Sequence, residues 1–175
     1  MEKKRIILFN ENEIHNRIVE LASEIDDYYG SESFVVISLL RGSFIFASDL
    51  VRSLNSMVTI DFITTSSYDN EKISSGFVEI VNDLRENIAD RHVLLVDDIL
   101  DSGKTMKYVV DHLEKRNPKS IKTCVLLDKP SRRTEDIKAD FVGYEIEDVF
   151  IVGYGLNYGD YYRNVPYIFT FDDES

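Results

Sequence analysis

Cysteine is almost missing from this chain: Cys124 stands alone among 175 residues. A single thiol excludes an internal disulfide and any multi-cysteine zinc site. Its setting, the apolar run Cys124-Val125-Leu126-Leu127, predicts a buried and inert side chain. Histidine is nearly as scarce. His15, His92 and His112 are too far apart for an H-x-x-H pattern, so no histidine-built metal site is expected. Proline occurs three times, and no Gly/Ser/Pro linker divides the sequence, so one domain is expected at this length. No apolar run is long enough to span a membrane. The basic and apolar start, Met1 to Phe9, is stopped by Asn10 and Glu11 and is too short for a signal-peptide core. Positive charge is also in deficit: 20 Lys and Arg face 32 Asp and Glu, a net charge of −12. That balance speaks against nucleic acid and anionic membrane as partners, because both need a basic footprint. The expected protein is soluble and cytoplasmic.

What is present is globular: 43% hydrophobic and 11% aromatic residues, enough to bury a core without disulfide or metal support. Ile14, Ile18, Leu21, Ala22 and Ile25 share one helical face and predict a helix over 12–29. Phe34 to Leu40 is continuously apolar, the mark of a strand covered on both faces. A helix bearing Phe46, Ala47, Leu50, Val51 and Leu54 follows, then a β-branched strand over 57–64. Residues 65–75 are polar and aperiodic and read as an exposed loop, with a strand from Phe77 to Val81 behind it. A buried strand over 92–98, a helix with Met106, Val109, Val110 and Leu113 inward, and a strand over 121–127 complete the pattern. Such alternation predicts an α/β fold with a mainly parallel twisted sheet flanked by helices. In such sheets ligands bind beyond the carboxyl ends of the strands, here just after Leu40, Thr64, Val96 and Leu127.

The richest of those positions is Val96-Asp97-Asp98-Ile99-Leu100-Asp101-Ser102-Gly103-Lys104-Thr105. Its Ser-Gly-Lys-Thr suggests a nucleoside-triphosphate loop, but the glycine that loop needs five positions before Gly103 is Asp98. A carboxylate there would repel the triphosphate. Residues 101–105 instead form a short turn opening a helix, whose N–H groups and Ser102 and Thr105 hydroxyls can hold one phosphate. Asp97 and Asp98 at the strand end suit ribose hydroxyls or a hydrated Mg²⁺. The loop therefore fits a ribose 5-phosphate.

These residues resemble the phosphoribosyl-diphosphate (PRPP) signature of the type I phosphoribosyltransferases. Three more segments resemble the hypoxanthine-guanine branch of that family, in the same order: Ser38-Leu39-Leu40-Arg41-Gly42-Ser43, Ser66-Ser67-Tyr68, and the stretch from Leu126-Leu127-Asp128-Lys129-Pro130 through Phe150-Ile151-Val152-Gly153-Tyr154-Gly155-Leu156-Asn157 to Arg163. The similarity spans about residues 34–170.

The resemblance implies a single phosphoribosyltransferase domain over 1–175, with a core at about 30–135 and a small hood from the N-terminal segment and about 140–175. It implies transfer of phosphoribosyl from PRPP to hypoxanthine or guanine in purine salvage, giving IMP or GMP and pyrophosphate, with Mg²⁺ as cofactor and a homodimer or homotetramer as the assembly. Carried over residue by residue, Asp101 is the catalytic base. Asp97 and Asp98 meet the ribose hydroxyls directly or through Mg²⁺. Asp101, Ser102, Gly103, Lys104 and Thr105 hold the 5-phosphate, while Arg41, Gly42 and Arg163 meet pyrophosphate. The Leu40–Arg41 peptide is implied to be cis. Lys129, Phe150, Ile151 and Asn157 belong to the purine side, and Ser67 and Tyr68 to a mobile loop that closes over the site. Lys129 also makes chemical sense, because an ammonium donates to the 6-oxygen of hypoxanthine or guanine but would face the amino group of adenine. One position departs: many relatives carry Asp where Asn157 stands, and an amide is a weaker ligand for a second Mg²⁺. A non-catalytic regulator on the same fold, binding nucleotides or RNA, and a relative acting on another base remain as alternatives.

Overall fold

Burial on both faces decides which strands take the centre of the sheet. In the computed structural model, which describes residues 4–68 and 77–172, the strands are β1 (Arg5–Phe9), β2 (Phe34–Leu40), β3 (Val58–Tyr68), β4 (Phe77–Asn82), β5 (His92–Leu100), β6 (Ser120–Asp128), β7 (Phe141–Glu145) and β8 (Ile168–Phe171). Six of them form one sheet in the order β4-β3-β2-β5-β6-β7. The apolar runs of β2, β5 and β6 lie at or next to its middle. Their side chains alternate: Phe34, Val36, Leu94, Val96, Cys124 and Leu126 enter one core, and Val35, Ile37, Val93, Leu95 and Val125 the other. The helices α1 (Glu11–Tyr29) and α2 (Phe44–Ser53) supply the first core, and α3 (Lys104–Glu114) supplies the second. All neighbours pair in parallel except β3 and β4, so the fold is the expected mainly parallel α/β sheet with helices on both faces.

Local chemistry sets the ends of α1. The Asn10 side chain accepts the Glu13 N–H at 2.9 Å while the Glu13 carboxylate accepts the Asn10 N–H at 2.8 Å, a reciprocal capping box. Its buried face is Ile14, Ile18, Leu21, Ala22 and Ile25, as the periodicity predicts.

The expected loop over 65–75 is corrected at its start. β3 continues to Tyr68 because β4 folds back along it, pairing Thr65 with Ile80, Ser66 with Glu79, Ser67 with Val78 and Tyr68 with Phe77. Ser67 and Tyr68 thus end a strand, and positions 69–76 of the expected loop lie outside the described residues. The inward face of β3 sets a carboxylate, Asp61, beside the fully buried Ile63. Ile60 and Phe62 are exposed and Asp61 is buried. Asp61 tolerates burial because its carboxylate accepts the backbone N–H groups of Phe62, Arg85 and Glu86 at 2.8 Å each.

β1 and β8 form a separate antiparallel pair. β7, in contrast, joins the large sheet beside β6. Among the described residues no helix is long and apolar enough to cross a membrane.

Candidate active site

β5 and β6 each run past their apolar stretch, and the extra residues build the site. The register Asp97↔Val125, Ile99↔Leu127 and Leu100↔Asp128 lines up the two carboxyl ends. Beyond them lies a cavity of about 270 Å³ lined by Leu39, Leu40, Gly42, Thr65, Asp97–Ser102, Gly103, Thr105 and Met106. It occupies the strand-end position expected for the ligand.

Asp97 and Asp98 face this cavity as a pair. Burial pushes both carboxyls above the ordinary carboxylate range; the neighbouring Asp98 charge pushes Asp97 further, whereas the positive charge of Arg163 partly offsets the effect on Asp98. Each also turns back on the main chain, Asp97 accepting the Asp98 N–H at 2.9 Å and Asp98 the Ile99 N–H at 2.8 Å. Two crowded carboxylates that resist ionisation together invite a cation.

The loop from Asp101 to Gly103 turns into α3 through a left-handed residue, Gly103 (φ +88°). A Cβ there would meet Ile137 Cγ2 at 2.7 Å, so both conformation and space require glycine. Gly103 supplies no side-chain cap to α3 and the Lys104 N–H makes only a long 3.4 Å bond to Ser102 Oγ, so the first N–H groups of the helix are available to a ligand. Lys104 is exposed and Ser102 and Thr105 are half-buried. The loop is braced from behind. Thr134 and Glu135 donate their N–H groups to Ser102 O at 2.9 and 3.1 Å, and Arg133 Nε donates to Asp101 O at 3.0 Å. Arg133 also pairs with Asp128 and donates to Ile137 O.

The loop after β2 closes the other wall. The Leu40–Arg41 peptide is cis, as the resemblance implies. Gly42 faces Asp98 so closely that a Cβ would lie 1.8 Å from Asp98 Oδ2. Gly42 O in turn would lie 2.1 Å from a Cβ on Gly155, so the Arg41–Ser43 turn packs against the segment that follows Phe150. Arg163 joins that contact: its Nη1 donates to Gly155 O at 2.7 Å. Arg41 itself is exposed.

The purine-side residues gather next to the same strand ends. Lys129 is buried, its N–H donating to Leu100 O at 2.9 Å and its Nζ to Val149 O at 2.6 Å. Ile151 is buried, whereas Phe150 is 59% exposed and meets Tyr158 edge-on at 5.8 Å. An aromatic face left open beside a buried ammonium suits a flat ligand carrying an oxygen acceptor. Asn157 is exposed, its amide N–H donating to Gly159 O at 2.7 Å.

Against this geometry, residues 8–159 match the phosphoribosyl transferase domain family. The chain is 49% identical over 172 residues to the hypoxanthine-guanine phosphoribosyltransferase of Aquifex aeolicus, covering 98% of this chain and 97% of that one. The chain belongs to the hypoxanthine-guanine phosphoribosyltransferases. The Bacillus subtilis enzyme of that name is 44% identical over 162 residues, 93% of this chain and 90% of its own. A solved hypoxanthine-guanine phosphoribosyltransferase from Bacillus anthracis superposes with a TM-score of 0.91 at 44% identity, over 97% of this chain and 99% of that chain. The fold is therefore the type I phosphoribosyltransferase fold, and the chain is a phosphoribosyltransferase enzyme.

Sequence reasoning missed several residues of this phosphoribosyltransferase site. Thr65 lines the cavity because β3 runs on past Thr64. Arg133 braces the loop that opens α3, and Arg132 Nε lies 3.0 Å from Asp101 Oδ1. The adjacent arginines after Lys129-Pro130-Ser131 were the available signal, three residues from a named site lysine in a chain short of positive charge.

Proposed function

We propose that this phosphoribosyltransferase displaces pyrophosphate from C1 of PRPP with a ring nitrogen of hypoxanthine or guanine, giving IMP or GMP. The observation that carries the assignment of roles is Asp101 Oδ1. It is a buried carboxylate oxygen with no hydrogen-bond partner, on the lining of the cavity that also holds Asp97 and Asp98. Arg132 Nε lies 3.0 Å from this oxygen without hydrogen-bond alignment, so it can still accept from a ligand, which suits a base that takes the purine N7 proton as the new C–N bond forms and the C1–O bond to pyrophosphate breaks.

The other roles follow from placement. The free N–H groups opening α3, with Ser102 and Thr105, hold the 5-phosphate. Asp97 and Asp98 hold the ribose hydroxyls and place negative charge beside the positive charge that grows on the sugar. Gly42 and Arg41, with Arg163, meet the pyrophosphate. Lys129 has donors beyond the one given to Val149 O, so it can donate to the 6-oxygen while Phe150 stacks on the ring and the Ile151 backbone meets the base edge. Closure of the Ser67-Tyr68 segment would exclude water from the reacting sugar.

The donor set suits Mg²⁺ in one particular way. Among the described residues no three His, Cys, Asp or Glu side chains cluster as a complete cage. Mg²⁺ is commonly held by one or two carboxylates with water and substrate oxygens completing the shell, and the crowded Asp97–Asp98 pair fits that requirement. When bound, Mg²⁺ supplies positive charge for the sugar hydroxyls and the leaving pyrophosphate. Asn157 carries a neutral amide rather than a carboxylate, which supports weak affinity for a second ion. A cytoplasmic location and assembly as a homodimer or homotetramer belong to the same reading.

The test is pyrophosphate release from PRPP and Mg²⁺ with hypoxanthine, guanine, xanthine, adenine and uracil in parallel. Release with hypoxanthine or guanine and little with adenine or uracil is expected, and loss of release on chelating Mg²⁺. Silence with every base would favour the non-catalytic regulator.

A further inference from the structure

The Arg132 side chain touches both halves of this site. It leaves the 3-10 turn Pro130–Arg132 and places Nε 3.0 Å from Asp101 Oδ1, a charge contact without hydrogen-bond alignment. Its Nη1 lies 3.3 Å from Asp148 Oδ2. Asp148 also lies 3.8 Å from Lys129 Nζ, and that Nζ is bonded to Val149 O. A chain of four charges, Asp101–Arg132–Asp148–Lys129, therefore runs from the loop after β5 to the segment just before Phe150.

Both carboxylates on Arg132 are about half exposed, as is the arginine itself. Exposed pairs of this kind contribute little to global stability. Their consequence is positional. Residues 147–150 have no helix or strand of their own, and the Val149 N–H donates to Glu147 O. Beyond the packing of Val149 on the first core, their polar attachments run through Lys129 and Arg132. A guanidinium can meet two carboxylates at once through different nitrogens, which the point charge of a lysine does not do with the same geometry. Because the Asp101 contact is not a hydrogen bond, the Asp101 oxygen keeps its acceptor capacity for a ligand.

We infer that Arg132 is a positioning residue of the purine site, its guanidinium bridging Asp101 to Asp148 so that Phe150 and Val149 are set at a fixed distance from the proton-accepting carboxylate. The inference rests on the reading of Asp101 and Phe150 as purine-side residues. It makes the bridge a determinant of purine affinity and leaves PRPP affinity to the opposite wall.

The test is a double-mutant cycle with Arg132→Ala, Asp148→Asn and the pair, reading KM for hypoxanthine, KM for PRPP and kcat, with melting temperatures alongside. Each single variant is expected to raise KM for hypoxanthine about fivefold with PRPP KM within twofold of wild type and no loss of folding. The double variant is expected to be no worse than the worse single one, because both remove the same bridge. Arg132→Lys is expected to recover less than half of the lost affinity. Multiplicative effects in the double variant, an unchanged hypoxanthine KM in Arg132→Ala, or equal rises in both KM values would overturn the bridge. A wild-type chain that turned over no 6-oxopurine would overturn the reading beneath it as well, whereas an active wild type with any of those three results overturns the bridge alone.

Discussion

The two walls of the site are built in opposite ways. The phosphoribose wall is one continuous stretch, from Asp97 at the end of β5 through the Gly103 turn to Met106 in α3. Its geometry comes from a central strand and a helix, and its neighbours brace it through main-chain bonds to Ser102 O. The purine wall is gathered from Lys129, residues 148–151 and residues 153–163, which have little regular structure. Side chains reaching for carbonyls hold it: Lys129 to Val149 O and Arg163 to Gly155 O. Two of its tyrosines, Tyr154 (φ +51°) and Tyr162 (φ +74°), sit in the left-handed region, which costs roughly 1 kcal/mol each for a residue with a Cβ. Tyr154 is kept there by burial and by its hydroxyl, which donates to Asp49 on α2. A sugar phosphate can be recognised by backbone N–H groups, and a secondary-structure terminus supplies them ready-made. A base is distinguished by a few atoms on its edge, and irregular segments can aim side chains and carbonyls at them.

If the walls are separate, substitutions should separate too. The largest effect should come where they meet. Asp101→Asn is expected to lower kcat by roughly 100-fold or more, the usual contribution of a general base, while equilibrium binding of PRPP stays near wild type. A variant turning over at the wild-type rate would remove Asp101 from the mechanism. Next, Lys129→Ala should lower kcat/KM for hypoxanthine and guanine by about 100-fold, since an unpaired 6-oxygen in a closed site is costly. PRPP KM should hold, and a parallel loss of PRPP affinity would merge the two walls. The smallest effect is expected from Gly42→Ala. The new methyl would overlap Asp98 Oδ2 and crowd its Cγ at 2.8 Å, so the Asp98 side chain as a whole must shift. PRPP KM should rise about tenfold by analogy with other displaced binding groups, with the hypoxanthine KM little changed. A selective rise in hypoxanthine KM instead would reverse the assignment of walls.

The fold was largely legible because apolar patterning reports burial directly. The unbroken runs of β2, β5 and β6 and the spaced face of α1 appear where the sequence places them. The start of the 65–75 loop was misread because Ser66, Ser67 and Tyr68 carry no apolar alternation; they are in a strand because β4 pairs with them. Asp61 shows the same limit. A lone carboxylate between Ile60 and Phe62 looks outward-facing until Arg85 and Glu86, more than twenty residues away, deliver their N–H groups to it.

The site divides along the same line. Contiguous residues that do their work through a strand end and a helix start, Asp97 to Thr105, can be read from the sequence because local backbone geometry follows from local sequence. That Gly42 abuts Asp98, that Gly155 abuts Gly42, and that Arg132 spans Asp101 and Asp148 are long-range contacts with no periodicity to announce them. The sequence by itself determined the sheet, the acidic strand end and the glycine turn into α3. Only the tertiary structure decided which carbonyls and carboxylates meet Lys129, Arg132 and Arg163, because those partners come together only when β5 and β6 bring distant segments to one edge of the sheet.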